Sequence, residues 1–312
     1  MAEVREIGVV GAGFMGSGIA ESAARAGLAV HVYEPRTAPL KESRRRIAES
    51  AARAGLRVRV YEPNPRPLES SRARIAASVE RGVRGGKLEP EAAAALQERI
   101  SFSTELHSLH GAEIVIEAIV EDLDEKRKVF RRLDDALDDG VILASNTSSI
   151  PIAGLAAATH RPQHVLGLHF FSPVPVMKLV EIVVALDTSA ETIARSETFV
   201  QKLGKHPIRT RDRSGFIVNM LLVPYLMAAV RMYEDGFATR EDIDHGMKLG
   251  AGHPMGPLQL CDFIGLDVLY AVCDSLYEEF KRDEYAPPPL MKRMVASGRL
   301  GRKSGRGFYE YD

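Results

Sequence analysis

Residues 7–21, IGVVGAGFMGSGIAE, decide the fold. A short β-branched run, Ile7–Val10, meets Gly11-Ala12-Gly13-Phe14-Met15-Gly16 and opens into an alanine-rich segment with helical character. The first glycine of such a pattern permits a tight turn, the second lets the backbone approach a pyrophosphate, and the third allows close helix packing. The phosphate then meets a helix N-terminus, where free N–H groups and the dipole favour an anion. The strand–turn–helix context predicts a dinucleotide site with contacts at Gly11, Gly13, Phe14, Met15 and Gly16.

Immediately behind this fingerprint the chain repeats itself. Residues 21–48 (ESAARAGLAVHVYEPRTAPLKESRRRIA) and 49–76 (ESAARAGLRVRVYEPNPRPLESSRARIA) match at 20 of 28 positions. Each copy carries one strand-like run with an acidic end, LAVHVYE at Glu34 and LRVRVYE at Glu62. An acidic residue about 20 positions after the fingerprint accepts hydrogen bonds from ribose hydroxyls and disfavours a 2′-phosphate, which selects NAD over NADP. Contiguity favours Glu34; Glu62 reaches the same place only if the first copy loops out. Two copies are too few for a solenoid. The expectation is a tandem duplication in which one copy builds the second strand and the other is extruded toward solvent or added as an edge strand, since long surface insertions cost little.

Outward from there, β-branched runs alternate with amphipathic segments: Val30–Tyr33, Ile114–Ile119, Val141–Ala144 and Val165–Phe171. That alternation predicts parallel strands joined by helices. Near residue 212 the text turns to long apolar-periodic segments with Gly/Pro breaks, which read as helical. The predicted architecture is α/β: a Rossmann-like domain over 1–212, then an all-helical domain over 213–312. A net charge of −1 supplies no bulk field for nucleic acid or an anionic membrane. The N-terminal MAEVREIGVV does not fit a signal peptide, and the apolar stretch Phe216–Val230, interrupted by Asn219 and Pro224, is too short for a membrane span. Two cysteines, Cys261 and Cys273, make no disulfide framework and fit a reducing, cytoplasmic setting.

Two segments carry candidate chemistry. In His169-Phe-Phe-Ser-Pro-Val-Pro-Val-Met-Lys-Leu-Val-Glu181, antiparallel pairing about Pro175 places His169 opposite Glu181. A carboxylate there orients the imidazole and stabilises its protonated form, as a general acid/base requires; a strand-edge salt bridge without function is the alternative. Ala144-Ser145-Asn146-Thr147-Ser148-Ser149 follows a strand at its carboxyl end, where open α/β sheets bind ligands, although the same residues also suit a helix N-cap. Asn219 reads as a buried amide in need of a partner, either a ligand carbonyl or another helix. His160 and His164 have ligand-like spacing but no completing set, so no metal is expected. The tail GRLGRKSGRGF lacks the spacing of a P-loop, and its basic residues read as a solvated face.

Taken together, GAGFMGSGIAE, VIEAIVEDLDEK, ILASNTSSIPI, HFFSPVPVMKLVE, DRSGFIVN, MKLGAGHPMGPLQL, DFIGLD and LGRKSGRGFYEY resemble the L-3-hydroxyacyl-CoA dehydrogenase family, including bacterial 3-hydroxybutyryl-CoA dehydrogenases. Family members run shorter than this chain by about one repeat copy. The resemblance implies a Rossmann-like NAD domain, a helical domain that forms a homodimer, and an acyl-CoA substrate. It implies His169 as general acid/base, Glu181 as its orienting partner, Ser148 at the substrate C3 oxygen and Asn219 near the thioester. Glu121, Lys126 and Asn146 match NAD-contacting positions; Arg81, Arg84 and Lys87 match basic residues directed at the CoA phosphates. Asp262 matches no catalytic role. Ser172 stands where the family usually has asparagine, and Met220 where it usually has arginine. Sister dehydrogenases of non-CoA hydroxy acids, of gulonate or carnitine type, and a non-catalytic relative are the competing readings.

Overall fold

The strand texts of the N-terminal half assemble into one sheet in the computed structural model, which describes residues 4–11, 14–26, 28–33, 58–61, 100–103, 106–172, 174 and 177–311. Its strands are β1 (Glu6–Val10), β2 (Ala29–Tyr33), β3 (Val58–Tyr61), β4 (Ile100–Ser103), β5 (Ile114–Glu117), β6 (Ile142–Ser145), β7 (Val165–Phe170), β8 (Leu179–Val184) and β9 (His206–Arg211). Their order is β4-β3-β2-β1-β5-β6-β7-β8-β9. The first seven are parallel; β8 runs antiparallel to β7, and β9 is parallel to β8. The sheet is therefore mixed: its first seven strands are parallel, as the alternation of strands and helices predicts, and β8 is antiparallel to β7, as the spacing about Pro175 predicts.

With β3 removed, β4-β2-β1-β5-β6-β7 is the strand order of a doubly wound dinucleotide fold, whose order reverses between β1 and β5. The repeat thus departs from expectation. The strand of the second copy is neither extruded nor at an edge, but lies between β2 and β4. Its register explains this: Val30 faces Val58 and Val32 faces Val60, while Val58 and Val60 face Ile100 and Phe102. The duplicated text keeps the same alternation, so the added strand continues the register in which Val30 lies on a buried sheet face, and no neighbour has to flip.

That face continues through Ile7 and Val9, Ile114 and Ile116, Ile142 and Ala144, then Leu166, Leu168 and Phe170. Helix α1 (Phe14–Arg25) covers it with Ile19, Ala20 and Ala23, and a later helix (Ala190–Lys202) with Phe199 and Val200, in one buried cluster. Each large apolar side chain so buried stabilises by ~1.5–3 kcal/mol. Between them come α2 (Leu123–Ala136), N-capped by Asp122 through Glu125 N at 2.9 Å, and α3 (Ile152–Ala156). The Ala190–Lys202 helix is α4, capped by Ser189.

The chain divides into two compact units, Met1–Asp212 and Arg213–Asp312. The second is built from α5 (Val218–Glu234), α6 (Arg240–His245), α7 (Pro257–Ile264), α8 (Leu266–Phe280) and α9 (Pro289–Ala296), with isolated bridges at Gly301–Arg306 and Arg306–Glu310. Two buried carboxylates hold it together. Asp244 accepts from Leu258 N at 2.7 Å, Gln259 N at 3.0 Å and the Tyr309 hydroxyl at 2.9 Å, satisfying the otherwise orphaned donors of α7. Asp262 accepts from Phe308 N, Tyr309 N and the Tyr311 hydroxyl, each at 2.9 Å, so its role is to fasten the tail. Cys261 and Cys273 are buried and free, and burial pushes the Cys273 thiol up to about 12. Among the described residues no helix is long and apolar enough to cross a membrane.

Candidate active site

Period-two alternation puts the polar residues of β5–β8 on the sheet face opposite the apolar cluster. Val10 pairs with Glu117, Glu117 with Ser145, and Ser145 with Gly167; two residues on, His169 pairs with Glu181. The antiparallel register of β7 and β8 is the one that the spacing about Pro175 predicts. His169 Nδ1 lies 2.6 Å from Glu181 Oε2, with His169 6 % exposed and Glu181 fully buried. A carboxylate acceptor fixes the proton on Nδ1, which leaves Nε2 as the ring nitrogen able to take a proton from a ligand. The ring of Phe171 packs beside the imidazole, its centroid 4.5 Å away and its plane tilted by 56°.

Beside this pair is a polar network at the carboxyl ends of β5 and β6. Lys126, on α2 and 1 % exposed, donates to Glu117 Oε1 at 2.6 Å and lies 3.3 Å from Glu121 Oε2. Glu117 also accepts from Ser145 Oγ at 2.6 Å and from Ile119 N at 2.6 Å. Glu121 Oε1 in turn accepts from Thr147 Oγ1 at 2.5 Å, Ser148 N at 3.0 Å and Ser149 Oγ at 3.0 Å. Burial alone would raise the pKa of Glu121, but the Lys126 ammonium and these donors outweigh it and hold the carboxyl below the usual range. Asn146 Oδ1 accepts from Phe170 N at 2.9 Å, tying the end of β6 to the residue after His169. The Ser/Thr run does not cap α3: Thr147 Oγ1 accepts from Ser149 N and Ile150 N, and Asp212, from far along the chain, receives Ile152 N and Ala153 N at 2.7 Å each.

The glycine fingerprint fits a nucleotide. Gly11 has φ +99°, and a Cβ on it would meet the Ala118 carbonyl oxygen at 2.5 Å; a Cβ on Gly16 would meet the Gly11 oxygen at 1.8 Å. The turn thus passes close to the end of β5, at the crevice where the strand order reverses, with α1 starting at Phe14. Met15 packs against the apolar cluster. Gly13, Glu34, Glu62, Arg81, Arg84 and Lys87 lie outside the described residues.

Of the other candidates, Asn219 is placed differently from expectation. Asn219 is half-buried at the start of α5 rather than fully buried, because only one side of that helix packs into the core of its unit. Met220 Sδ is 3.6 Å from the Tyr285 hydroxyl, and Ser172 is exposed just past β7. His160 pairs with Asp134 at 2.8 Å and His164 with Thr192 at 3.2 Å. Among the tail cations, both exposed, Arg302 sits over the rings of Phe263 and Tyr311 and Lys303 pairs with Asp267. Glu117 is the residue that motif reading passes over, although an acid inside the apolar run Ile114–Ile119 is a visible signal.

A model of the 3-hydroxyacyl-CoA dehydrogenase NAD-binding domain matches residues 6–50 and 44–213, and a model of the C-terminal domain of the same enzymes matches 215–311. The chain belongs to the 3-hydroxyacyl-CoA dehydrogenase family. It is an NAD-dependent oxidoreductase. The N-terminal match breaks inside the tandem repeat, as it must where one stretch of the model is written twice. Among relatives, the dehydrogenase is 49% identical over 310 residues to a Mycobacterium tuberculosis 3-hydroxybutyryl-CoA dehydrogenase, covering 99% of both chains. It is 41% identical to a probable 3-hydroxybutyryl-CoA dehydrogenase of Bacillus subtilis, covering 99% of this chain and 98% of that one. Among solved structures, M. tuberculosis FadB2 superposes with a TM-score of 0.82 at 47% identity, covering 100% of both chains. The (S)-3-hydroxybutyryl-CoA dehydrogenase PaaH1 of Ralstonia eutropha does so at 0.80 and 41%, covering 99% of this chain and 100% of that one.

Proposed function

We propose that this dehydrogenase reversibly oxidises L-3-hydroxyacyl-CoA, with 3-hydroxybutyryl-CoA foremost, and that His169 is the general acid/base. The observation that carries this reading is the 2.6 Å contact between His169 Nδ1 and Glu181 on the ligand-facing end of the sheet. The proton on Nδ1 leaves Nε2 to take the C3 hydroxyl proton, and Glu181 stabilises the imidazolium that forms. Ser148 donates its hydroxyl to the C3 oxygen, from a loop that Glu121 holds by three hydrogen bonds. In the reverse direction the imidazolium and Ser148 polarise the C3 carbonyl before proton return.

NAD, when bound, accepts the hydride that leaves C3. Gly11, Gly13, Phe14, Met15 and Gly16 would hold its pyrophosphate, and Asn146 its nicotinamide half through an amide NH₂ that the bond to Phe170 leaves available. Lys126 is too buried to touch a ligand and serves by placing Glu121. Glu34 is assigned to the adenosine ribose, because β2 and not β3 is bonded to β1, with Tyr33 opposite Val10. Residues 1–212 are assigned as the NAD-binding domain and 213–312 as the substrate and dimerisation domain, with the thioester assigned to Asn219 and the CoA phosphates to Arg81, Arg84 and Lys87. Homodimerisation through the second unit is supported by its exposed Leu221 and Phe263, which line an apolar groove of about 570 Å³, and by the exposed Val268. Two buried free thiols suit the cytoplasm.

The test is NADH oxidation with acetoacetyl-CoA against free acetoacetate, repeated with NADPH. Preference for the CoA ester and for NADH is expected. Faster turnover of the free acid would replace the acyl-CoA reading, and equal efficiency with NADPH would sink the assignment of Glu34.

A further inference from the structure

One buried cation takes no part in the chemistry above. Lys205 lies between α4 and β9 and is 8 % exposed. Its ammonium donates to the backbone oxygens of Val174 at 2.5 Å and Met177 at 2.7 Å. Both oxygens belong to the turn that joins β7 to β8. Burial lowers its pKa, and no neighbouring carboxylate among the described residues opposes that shift. A buried cation without an anionic partner is costly, and an apolar side chain of the same length would fill the space without that cost. What the ammonium adds is a double tether on the turn.

The tether sits where it can govern the catalytic pair. The two limbs of the turn carry His169 on β7 and Glu181 on β8, which are direct partners in the register. The first residue of β9 holds the end of the same turn, His206 N donating to Lys178 O at 2.6 Å, and β9 pairs with β8 along its length, Ile208 opposite Glu181. A one-residue slip between β7 and β8 would send either side chain to the opposite face. Smaller shifts would lengthen a 2.6 Å contact that has no slack.

We propose that Lys205 is a positioning residue for the reaction, its ammonium pinning the β7–β8 turn so that Glu181 holds His169 in line. This rests on the assignment of His169 as acid/base. The experiment is Lys205→Met in the full chain, with His169→Ala measured beside it and active sites counted by NADH titration. A roughly 10- to 100-fold loss of kcat is expected, with NADH affinity and cooperative melting close to wild type, because the fingerprint strand and its helix are untouched. A purely structural lysine would lower the melting temperature and leave kcat per folded site alone; that outcome overturns the proposal. Should Lys205→Met fail to fold, Lys205→Leu, which also fills the space without a donor, is read in its place: a depressed kcat supports the role and a wild-type kcat overturns it. Failure of both to fold assigns Lys205 to stability and overturns it as well. If His169→Ala keeps full turnover, the acid/base assignment fails and takes this role with it. An inactive His169→Ala beside an unaffected Lys205→Met removes the tether alone.

Discussion

The two flanks of the sheet on either side of β1 behave differently. On one, the carboxyl ends of β5, β6 and β7 and the amino-terminal half of the antiparallel β8 are stitched by Lys126 to Glu117, Ser145 to Glu117, Asn146 to Phe170 and His169 to Glu181. On the other, β2, β3 and β4 follow one another in simple parallel register, and an entire duplicated strand has entered between β2 and β4. A sheet takes up a new strand where repeated alternation keeps each side chain on its face. It resists one where contacts between the ends of adjacent strands demand particular neighbours. An insertion between β5 and β6 would separate Glu117 from Ser145, whereas the insertion after β2 leaves the fingerprint pairing of β1 with β2 and β5 intact.

The largest effect should come from the stitched flank. His169→Ala is expected to reduce turnover by ~10²–10⁴-fold, the usual contribution of positioned proton transfer, with little change in melting temperature. Glu181→Gln should reduce it less, since the ring keeps its place but loses its anionic partner. Steady-state kinetics on folded protein decide the matter, and wild-type rates in both variants would remove the pair from the chemistry.

Next in size is the stability of the same flank. Lys126→Met leaves Glu117 buried without its cation, and removal of one partner from a buried pair costs ~3–5 kcal/mol. Urea denaturation should show that loss. A change below ~1 kcal/mol would mean that Ser145 and Ile119 N suffice to hold the carboxylate, and that side-chain stitching is not what distinguishes this flank.

How far these differences can be read from the chain alone depends on distance along it. The strand–turn–helix at Gly11 is local, and the facing of His169 and Glu181 follows from their spacing about a proline-containing turn; both are legible. Glu117 reaches Ser145 across 28 positions and Asp212 reaches Ile152 across 60, so neither partnership leaves a periodic trace. Lys205 is opaque for another reason: its partners are carbonyl oxygens, which every residue type supplies. The position of β3 departs from the sequence expectation because a second copy reads as a surplus segment, whereas its backbone pairs in the register already present.

A smaller effect concerns acid. Glu121 holds the Ser148 loop with a carboxyl whose pKa lies below the ordinary glutamate value of 4.5. A depressed value in the folded state contributes stability that is present above pH 4.5 and is lost as pH falls through the folded value. Glu121→Gln lacks that term. Wild type should therefore be the more stable protein near neutrality, and the gap should narrow on acidification below about pH 4.5. Denaturation curves that stay equally far apart down to pH 3 would show that the loop is held without the charge.

The smallest change in activity is expected from the largest deletion. Removing residues 49–76 excises β3 and rejoins the chain at equivalent points of the two copies, Ala48 to Ala77. The edge strand β4 can then pair with β2, because Val58 and Val60 hand the same register to Ile100 and Phe102 that Val30 and Val32 hand to them. The remaining order is that of a doubly wound dinucleotide fold, and every group placed in the catalytic network lies on β1 or on the far side of it. NAD affinity and turnover should stay within roughly twofold of the full chain, since surface and flank length changes of this kind carry small entropic costs. Stability should be equal or greater. Isothermal titration with NAD, together with kinetics on acetoacetyl-CoA, would check this. An unfolded or inactive deletion protein would show that β3 supports the cofactor strand, that the tolerant flank is as tightly constrained as the stitched one, and that Glu34 is the wrong member of the repeated pair.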